Sequence, residues 1–262
     1  MRDEGDRVVD SLEETFRIGR ELAVPVVISH HKLAGRPNHG RSAETLPIIE
    51  KAMRSQRIGL DCYPYCASST ILSVSRVGPA SKVLVTWSKP HPEFSGKDLL
   101  EISRQMNLSV ENTVEKLLPA GAIYFSMDEQ DVQRILGFEH TMIGSDGLPH
   151  DAAPHPRLWG TFPRVLGHYA RDLGLFSLES AVHKMTGLTA KTFGLADRGV
   201  LKPGFAADIV VFDENEIDET ASFAKPIQRA KGIDTVIVNG AVVWREGKPT
   251  GRRPGRVLAR TA

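Results

Sequence analysis

The feature that most constrains this chain is an alternation of helix and strand patterns in its first sixty residues, with each strand pattern ending in polar side chains. Val8, Val9, Leu12, Phe16 and Leu22 recur at helical spacing with charges between them, which predicts a helix over 8–22. Pro25 breaks that pattern. The β-branched run from Val24 to Ser29 opens onto Ser29-His30-His31-Lys32, as a buried parallel strand would. Ala34 to Gly40 has the Gly, Pro and Asn content of a loop, Ser42 to Met53 carries a second helical pattern, and Ile58 to Tyr63 reads as the next strand. Helix, strand, helix, strand is the order of an α/β fold, whose sites lie at the carboxyl ends of the strands.

Beyond Tyr65 the alternation is interrupted. A long stretch with Ser and Thr runs, Trp87, Pro90 and Pro92 holds helical patterns over 97–105 and 110–117, and its length marks it as an insertion over about 66–135. Within and after it, 122–127 reads as a strand, 128–136 as a helix, and 140–144 as the strand leading into Ser145-Asp146-Gly147. Amphipathic helices are predicted over 161–173 and 178–185, and Gly199 to Gly204 marks a boundary. From Arg198 the texture turns all-β, with strands over 207–213 and 235–244, the second folded back at Asn239-Gly240 into a type I′ hairpin. Three barrel-type strands fall short of the eight that a closed α/β barrel needs.

Composition excludes several classes. Thirty-three Lys and Arg balance 32 Asp and Glu, so no chain-wide basic field favours nucleic acid. The basic tail Arg252, Arg253, Arg256 and Arg260, interrupted by Pro254 and Gly255, reads as a solvated terminus. No apolar run follows the charged start Met1 to Arg7, so neither a signal peptide nor a membrane partner is expected. Cys62 and Cys66 have no second pair to complete a zinc knuckle and read as reduced packing thiols, which points to the cytoplasm. There is no G-x-S-x-G elbow, Walker A loop or G-x-G-x-x-G after a strand.

His30, Tyr63 and Asp146 fall at the ends of three successive strand patterns. Imidazoles hold a metal and a nearby carboxylate moves a proton, so these residue types suit metal-assisted hydrolysis. By themselves His30 and His31 read more readily as buried hydrogen-bonding residues. The motifs Val26-Val27-Ile28-Ser29-His30-His31-Lys32, Asp61-Cys62-Tyr63-Pro64-Tyr65 with Ala67-Ser68-Ser69-Thr70, and Ile143-Gly144-Ser145-Asp146-Gly147 with His155-Pro156-Arg157 resemble, in order, those of the D-aminoacylases, the N-acyl-D-amino-acid deacylases of the amidohydrolase superfamily. Gly199 to Gly204 with Ala207-Asp208 and the Val238-Asn239-Gly240 hairpin resembles the small β-domain that flanks the barrel in that superfamily.

The resemblance implies an α/β fold: the C-terminal part of a metal-dependent (β/α)8 barrel over 1–197, with the insertion, and a small all-β domain over 198–262. It implies zinc, one ion or two, with His30 as the sixth-strand ligand and Asp146 as the catalytic carboxylate. Lys32, Tyr63, Ser69 and Arg157 are placed around the substrate carboxylate, and Tyr124 and Met127 in a side-chain pocket, although packing roles serve these two nearly as well. His31, His150 and His155 are either groups that orient ligands or loop residues without a role. The family's fifth-strand His stands in a Thr-His-Met-Arg-Asp-Glu segment, and this chain opens Met1-Arg2-Asp3-Glu4. That His, the H-x-H pair and the bridging Cys are therefore expected upstream of Met1, and the chain as given is expected to be inactive. The implied partner is a small N-acyl-D-amino acid. The alternatives are a catalytically dead remnant or binding module, and a cyclic-amide hydrolase of dihydroorotase or hydantoinase type.

Overall fold

The computed structural model describes residues 1–259. Arg252, Arg253 and Arg256 of the basic tail are exposed, and Arg260 lies outside the described residues. The chain opens with α1 (Val8–Glu21), β1 (Val26–Ile28), α2 (Ser42–Met53) and β2 (Ile58–Cys62). There follow β3 (Ala67–Ile71), the single turn α3 (Val74–Val77), β4 (Lys82–Ser88), α4 (Leu99–Met106), α5 (Val110–Leu117) and β5 (Ala120–Phe125). Next come α6 (Glu129–Gly137), β6 (Thr141–Ile143), α7 (Arg157–Arg164) with a π-helical continuation over Val165–Asp172, α8 (Leu178–Met185) and α9 (Gly187–Phe193). β7 (Ile209–Phe212), β8 (Ile233–Val238), β9 (Ala241–Arg245) and β10 (Lys248–Pro249) close the order. No described helix is long and apolar enough to cross a membrane.

The fold is α/β, built on a parallel sheet in the order β1-β2-β6. Helices α1, α2 and α6 and the π segment cover it, and Val8, Leu12, Phe16, Ile28, Ile49, Leu60, Val132, Ile135 and Tyr169 fill the core between. Val26 and Val27 are half-buried rather than buried, because the outer edge of β1 pairs with no described strand. The helix expected as one run over 161–173 instead begins at Arg157 and widens into π turns just after Pro163, which has no N–H to keep the ladder regular.

The interruption after Tyr65 is a second sheet, antiparallel and ordered β3-β5-β4, with a core of its own made by Leu72, Val83, Val85, Leu99, Ile102, Val114 and Leu117. Neither β3 nor β4 was among the strands expected from the sequence, although the Val83-Leu84-Val85-Thr86-Trp87 run of β4 has a strand's composition. Ala-Ser-Ser-Thr-Ile alternates in burial with small polar side chains on both faces, so it offers no period-2 contrast in hydrophobicity. Helix α6, read as part of the insertion, packs on α2, β2 and β6 and belongs to the parallel layer.

The last sheet is antiparallel, ordered β10-β9-β8-β7, and Asn239 and Gly240 both take the positive φ of the expected hairpin turn. Between β7 and β8 the chain leaves this sheet and returns to the parallel layer, where Ile217 joins the main core. That excursion had no sequence signal. Gly167 permits it, since a Cβ there would stand 2.5 Å from the Ile217 carbonyl oxygen.

His31 is fully buried between the layers, with Nε2 3.0 Å from the Thr45 hydroxyl and Nδ1 unpartnered. Burial, seconded by Lys32, pushes its pKa down to about 4. An unfolded histidine titrates near ~6.5, so below that value the unfolded chain binds a proton that the folded chain refuses. Stability from this group is whole above ~6.5 and falls as pH drops toward 4, by roughly 3 kcal/mol. Denaturant titrations at pH 7 and pH 4 are expected to show wild type losing about that much more stability than His31→Gln. Equal losses in the two proteins would show that His31 is not the acid-sensitive group.

Candidate active site

The carboxyl ends of the three parallel strands meet the antiparallel sheet across a cleft of about 720 Å³. His30, Lys32, Tyr63, Ser69, Tyr124 and Asp146 all line it. The register explains why. Neighbouring parallel strands end side by side, so the residues just after β1, β2 and β6 become adjacent although they are 33 and 83 positions apart in sequence, counting from His30 to Tyr63 and from Tyr63 to Asp146. His30 and Asp146 each take a left-handed backbone, φ 44° and φ 47°. Non-glycine residues held there are uncommon and cluster at functional sites. The His30 turn is held by its own N–H, which donates to Asp61 Oδ1 at 2.8 Å.

His30 Nδ1 lies 3.0 Å from Glu4 Oε1 and 2.7 Å from Lys32 Nζ, and Lys32 Nζ donates to Glu4 at 2.6 Å and to the His30 carbonyl at 2.9 Å. Burial opposes charge on Glu4, but the His30 hydrogen bond and the Lys32 ammonium outweigh it and hold the carboxyl down to about 2. Burial draws the Lys32 ammonium below its ordinary range against the pull of Glu4. When Nδ1–H is donated to Glu4, Nε2 keeps its lone pair, the arrangement that orients a metal-binding imidazole. Glu4 was missed as a functional residue although Met1-Arg2-Asp3-Glu4 was in view, because nothing in sequence spacing says that it reaches a strand 26 residues away, counting from Glu4 to His30.

On the far side, Arg157 is 1% exposed and its Nη2 meets Asp146 Oδ2 at 2.8 Å and the Ser69 carbonyl at 3.2 Å. Its guanidinium lies 4.5 Å from the centre of the Tyr63 ring. Arg157 Nε and Nη1, the Tyr63 hydroxyl and the Ser69 hydroxyl are buried and have no hydrogen-bond partner among the described residues. Burial pushes the Tyr63 phenol well above its usual range, so it stays a protonated donor.

Two pocket assignments come out differently. Tyr124 does line the cleft, but its ring sits in the core of the antiparallel sheet and its hydroxyl is satisfied by the Ser73 N–H at 2.9 Å and the Ile71 carbonyl at 3.0 Å. Met127 does not line the cleft. It packs behind Tyr63 and Tyr65 and borders a separate small void beside His31 and Cys62. His155 is buried beneath Arg157, and His150 stands exposed at the rim next to the buried carboxylate of Asp151. Both cysteines are free, and burial pushes the Cys62 thiol up to about 12, which suits packing and not reactivity.

Whether these residues can hold a metal is decided by counting donors. His30 Nε2 has no hydrogen-bond partner among the described residues, and Asp146 offers a carboxylate that is 37% exposed. No group of three or more His, Cys, Asp or Glu side chains that could hold a metal ion occurs among the described residues. A catalytic zinc takes about three protein ligands, so the described residues do not by themselves supply a full set.

The chain is 64% identical over all of its 262 residues to a D-aminoacylase of Alcaligenes xylosoxydans xylosoxydans, of which it covers 54%. It belongs to the D-aminoacylase family. The amidohydrolase family profile matches residues 132–244. A solved D-aminoacylase described for its binuclear metal centre superposes with a TM-score of 0.97 at 63% identity, over 99% of this chain and 55% of that one. An N-acyl-D-glutamate deacylase from Bordetella bronchiseptica, solved with zinc and a phosphonate mimic of the tetrahedral intermediate, superposes at 0.95 with 47% identity, over 98% of this chain and 54% of its own. The chain thus spans about half the length of the D-aminoacylase-family relatives it matches.

Proposed function

We propose that this chain carries the proton-transferring and anion-binding part of a metal-dependent amidohydrolase that cleaves N-acyl-D-amino acids to a carboxylate and a free D-amino acid. In this reading β1, β2 and β6 are the sixth, seventh and eighth strands of a (β/α)8 barrel over 1–197, and 198–262 is a separate small β-domain. The observation that carries it is the set of buried donors without partners, the Tyr63 and Ser69 hydroxyls on residues that line the cleft with Lys32, and Arg157 Nε and Nη1 behind them. Buried donors left unpaired are costly and rare in native proteins. A substrate carboxylate satisfies them, with charge-assisted bonds from arginine and lysine.

A bound metal would polarise the amide carbonyl and lower the pKa of its water. The rest falls to the chain. Asp146 accepts the water proton and delivers it to the leaving nitrogen. Arg157 Nη2 holds Oδ2 of Asp146, which leaves Oδ1 for the proton, and Glu4 fixes the ring of His30. Fixing the carboxylate on one wall of the cleft leaves one hand of the α-carbon with its amide at Asp146.

The test is a chimera in which this chain is joined to the portion of the 64%-identical relative that it does not match. N-acetyl-D-methionine is expected to be hydrolysed with a kcat/KM at least about 100-fold above that for hydantoin, which has no carboxylate to pair with the buried donors. Comparable rates on hydantoin or dihydroorotate would move the assignment to cyclic amides. A second reading, an inert binding module, has the incomplete donor set in its favour. A metal-loaded, folded chimera without turnover of either substrate class would support it.

A further inference from the structure

Helix α7 begins where a side-chain cap is impossible in the usual place. Its N-cap position is Pro156, which has no side-chain acceptor; the Leu158 and Trp159 amides find the His155 and Pro156 carbonyls, and the first amide, that of Arg157, has no backbone acceptor among the described residues. His155 supplies it from one residue further out. Its Nδ1 accepts from the Arg157 N–H at 3.0 Å, and Nε2 stands 3.0 Å from the Ala67 carbonyl oxygen. A carbonyl can only accept, so Nε2 carries the proton, and Nδ1 must be bare to receive the Arg157 amide. The hydrogen bonds therefore define one neutral tautomer.

The ring is also held from outside. Phe223, on the excursion between β7 and β8, lies 5.0 Å from the His155 ring, 4.6 Å from Phe125 and 6.4 Å from Tyr65, and the Tyr65 ring meets His155 edge-on at 5.1 Å. The excursion is tied down by Glu219, which pairs with Arg164 and accepts from the Tyr65 hydroxyl at 2.7 Å. Gly160 leaves room for this, since a Cβ there would stand 2.6 Å from the Tyr65 hydroxyl. One continuous set of contacts thus runs from the strands after the barrel layer through Phe223 and His155 to Arg157 and Asp146.

We propose that His155, covered by Phe223, is a positioning residue for the site: it fixes the start of α7 so that the Arg157 guanidinium meets Asp146 while Nε and Nη1 stay free for the substrate anion. The assignment of Asp146 and of the anion rests on the function proposed above, whereas the capping role does not.

The experiment has two arms. In the 262-residue chain, hydrogen exchange read by NMR is expected to show the Arg157 amide exchanging at least about 10-fold faster in His155→Ala and in Phe223→Ala, with the amides of Leu60 and Met142 in the parallel sheet unchanged. His155→Asn restores protection, because an Asn carbonyl accepts the amide two residues on. In the chimera, His155→Ala is expected to lower kcat/KM by about 10- to 100-fold, with KM raised because the Arg157 donors lose their place, and His155→Asn to recover most of it. Unchanged Arg157 exchange in His155→Ala overturns the proposal. If the alanine variant loses protection throughout, the Asn variant decides: a folded His155→Asn chain with an unprotected Arg157 amide overturns it equally. A wild-type chimera inert on every substrate while the exchange results hold would reject the proposed function and leave the positioning role standing.

Discussion

Expressed by itself, the 262-residue chain will hydrolyse N-acetyl-D-methionine no faster than buffer does, a loss of at least about 10⁶-fold against an enzyme of this kind. Its described residues bring His30 and Asp146 to the cleft, but no three His, Cys, Asp or Glu side chains among them are grouped so as to hold a metal ion. About three protein ligands are needed to keep a catalytic zinc while leaving a position open for water. The anion-binding donors remain in place, so the same chain is expected to bind the substrate carboxylate weakly without turning it over. The measurement is a deacylase assay with added zinc, with and without a chelator, beside calorimetric titration of the substrate. Chelator-sensitive turnover at enzyme-like rates would mean that the chain builds a metal site from residues other than these.

In the chimera, Asp146→Asn is expected to cost about 10²- to 10⁴-fold in kcat, the usual worth of a positioned proton-transfer group, while bound metal stays near wild type. Asparagine keeps the shape and the hydrogen-bonding reach of the side chain but cannot take and return a proton. The variant also loses the charge opposite Arg157 Nη2 at 2.8 Å, and the Ser69 carbonyl at 3.2 Å keeps that nitrogen partly satisfied. His30→Ala should fail in the other order, losing metal first and activity as a consequence, because its Nε2 is the atom left free while Nδ1–H is held by Glu4. Metal content by mass spectrometry and kcat for both variants separate the two roles. Full activity in Asp146→Asn, or full metal occupancy in His30→Ala, would remove these residues from their assigned places.

Much of this was readable before any coordinates. The alternation over 8–63 and the strand before Ser145-Asp146-Gly147 are set by local hydrophobic periodicity, and the observed helices Val8–Glu21 and Ser42–Met53 follow it closely. Polar residues after a parallel strand lie on one face of any α/β sheet, so His30, Tyr63 and Asp146 could be grouped from their places in the pattern alone. The Asn239-Gly240 turn is equally local, since two successive positive φ values are cheap only for such residues.

What the tertiary structure decided is non-local. That Glu4 reaches His30 and Lys32, that Arg157 pairs with Asp146 beneath Tyr63, and that Phe223 returns from beyond β7 to cover His155 are contacts between segments far apart in sequence, which no period or propensity encodes. The same reason hid β3, whose pairing with β5 and not its own composition makes it a strand, and it moved Met127 from the expected pocket to the packing behind Tyr63. Short-range patterns specified the elements and the residue types at their ends. Only the packing of one element on another settled which of those side chains are satisfied, and which buried donors are left without a partner among the described residues.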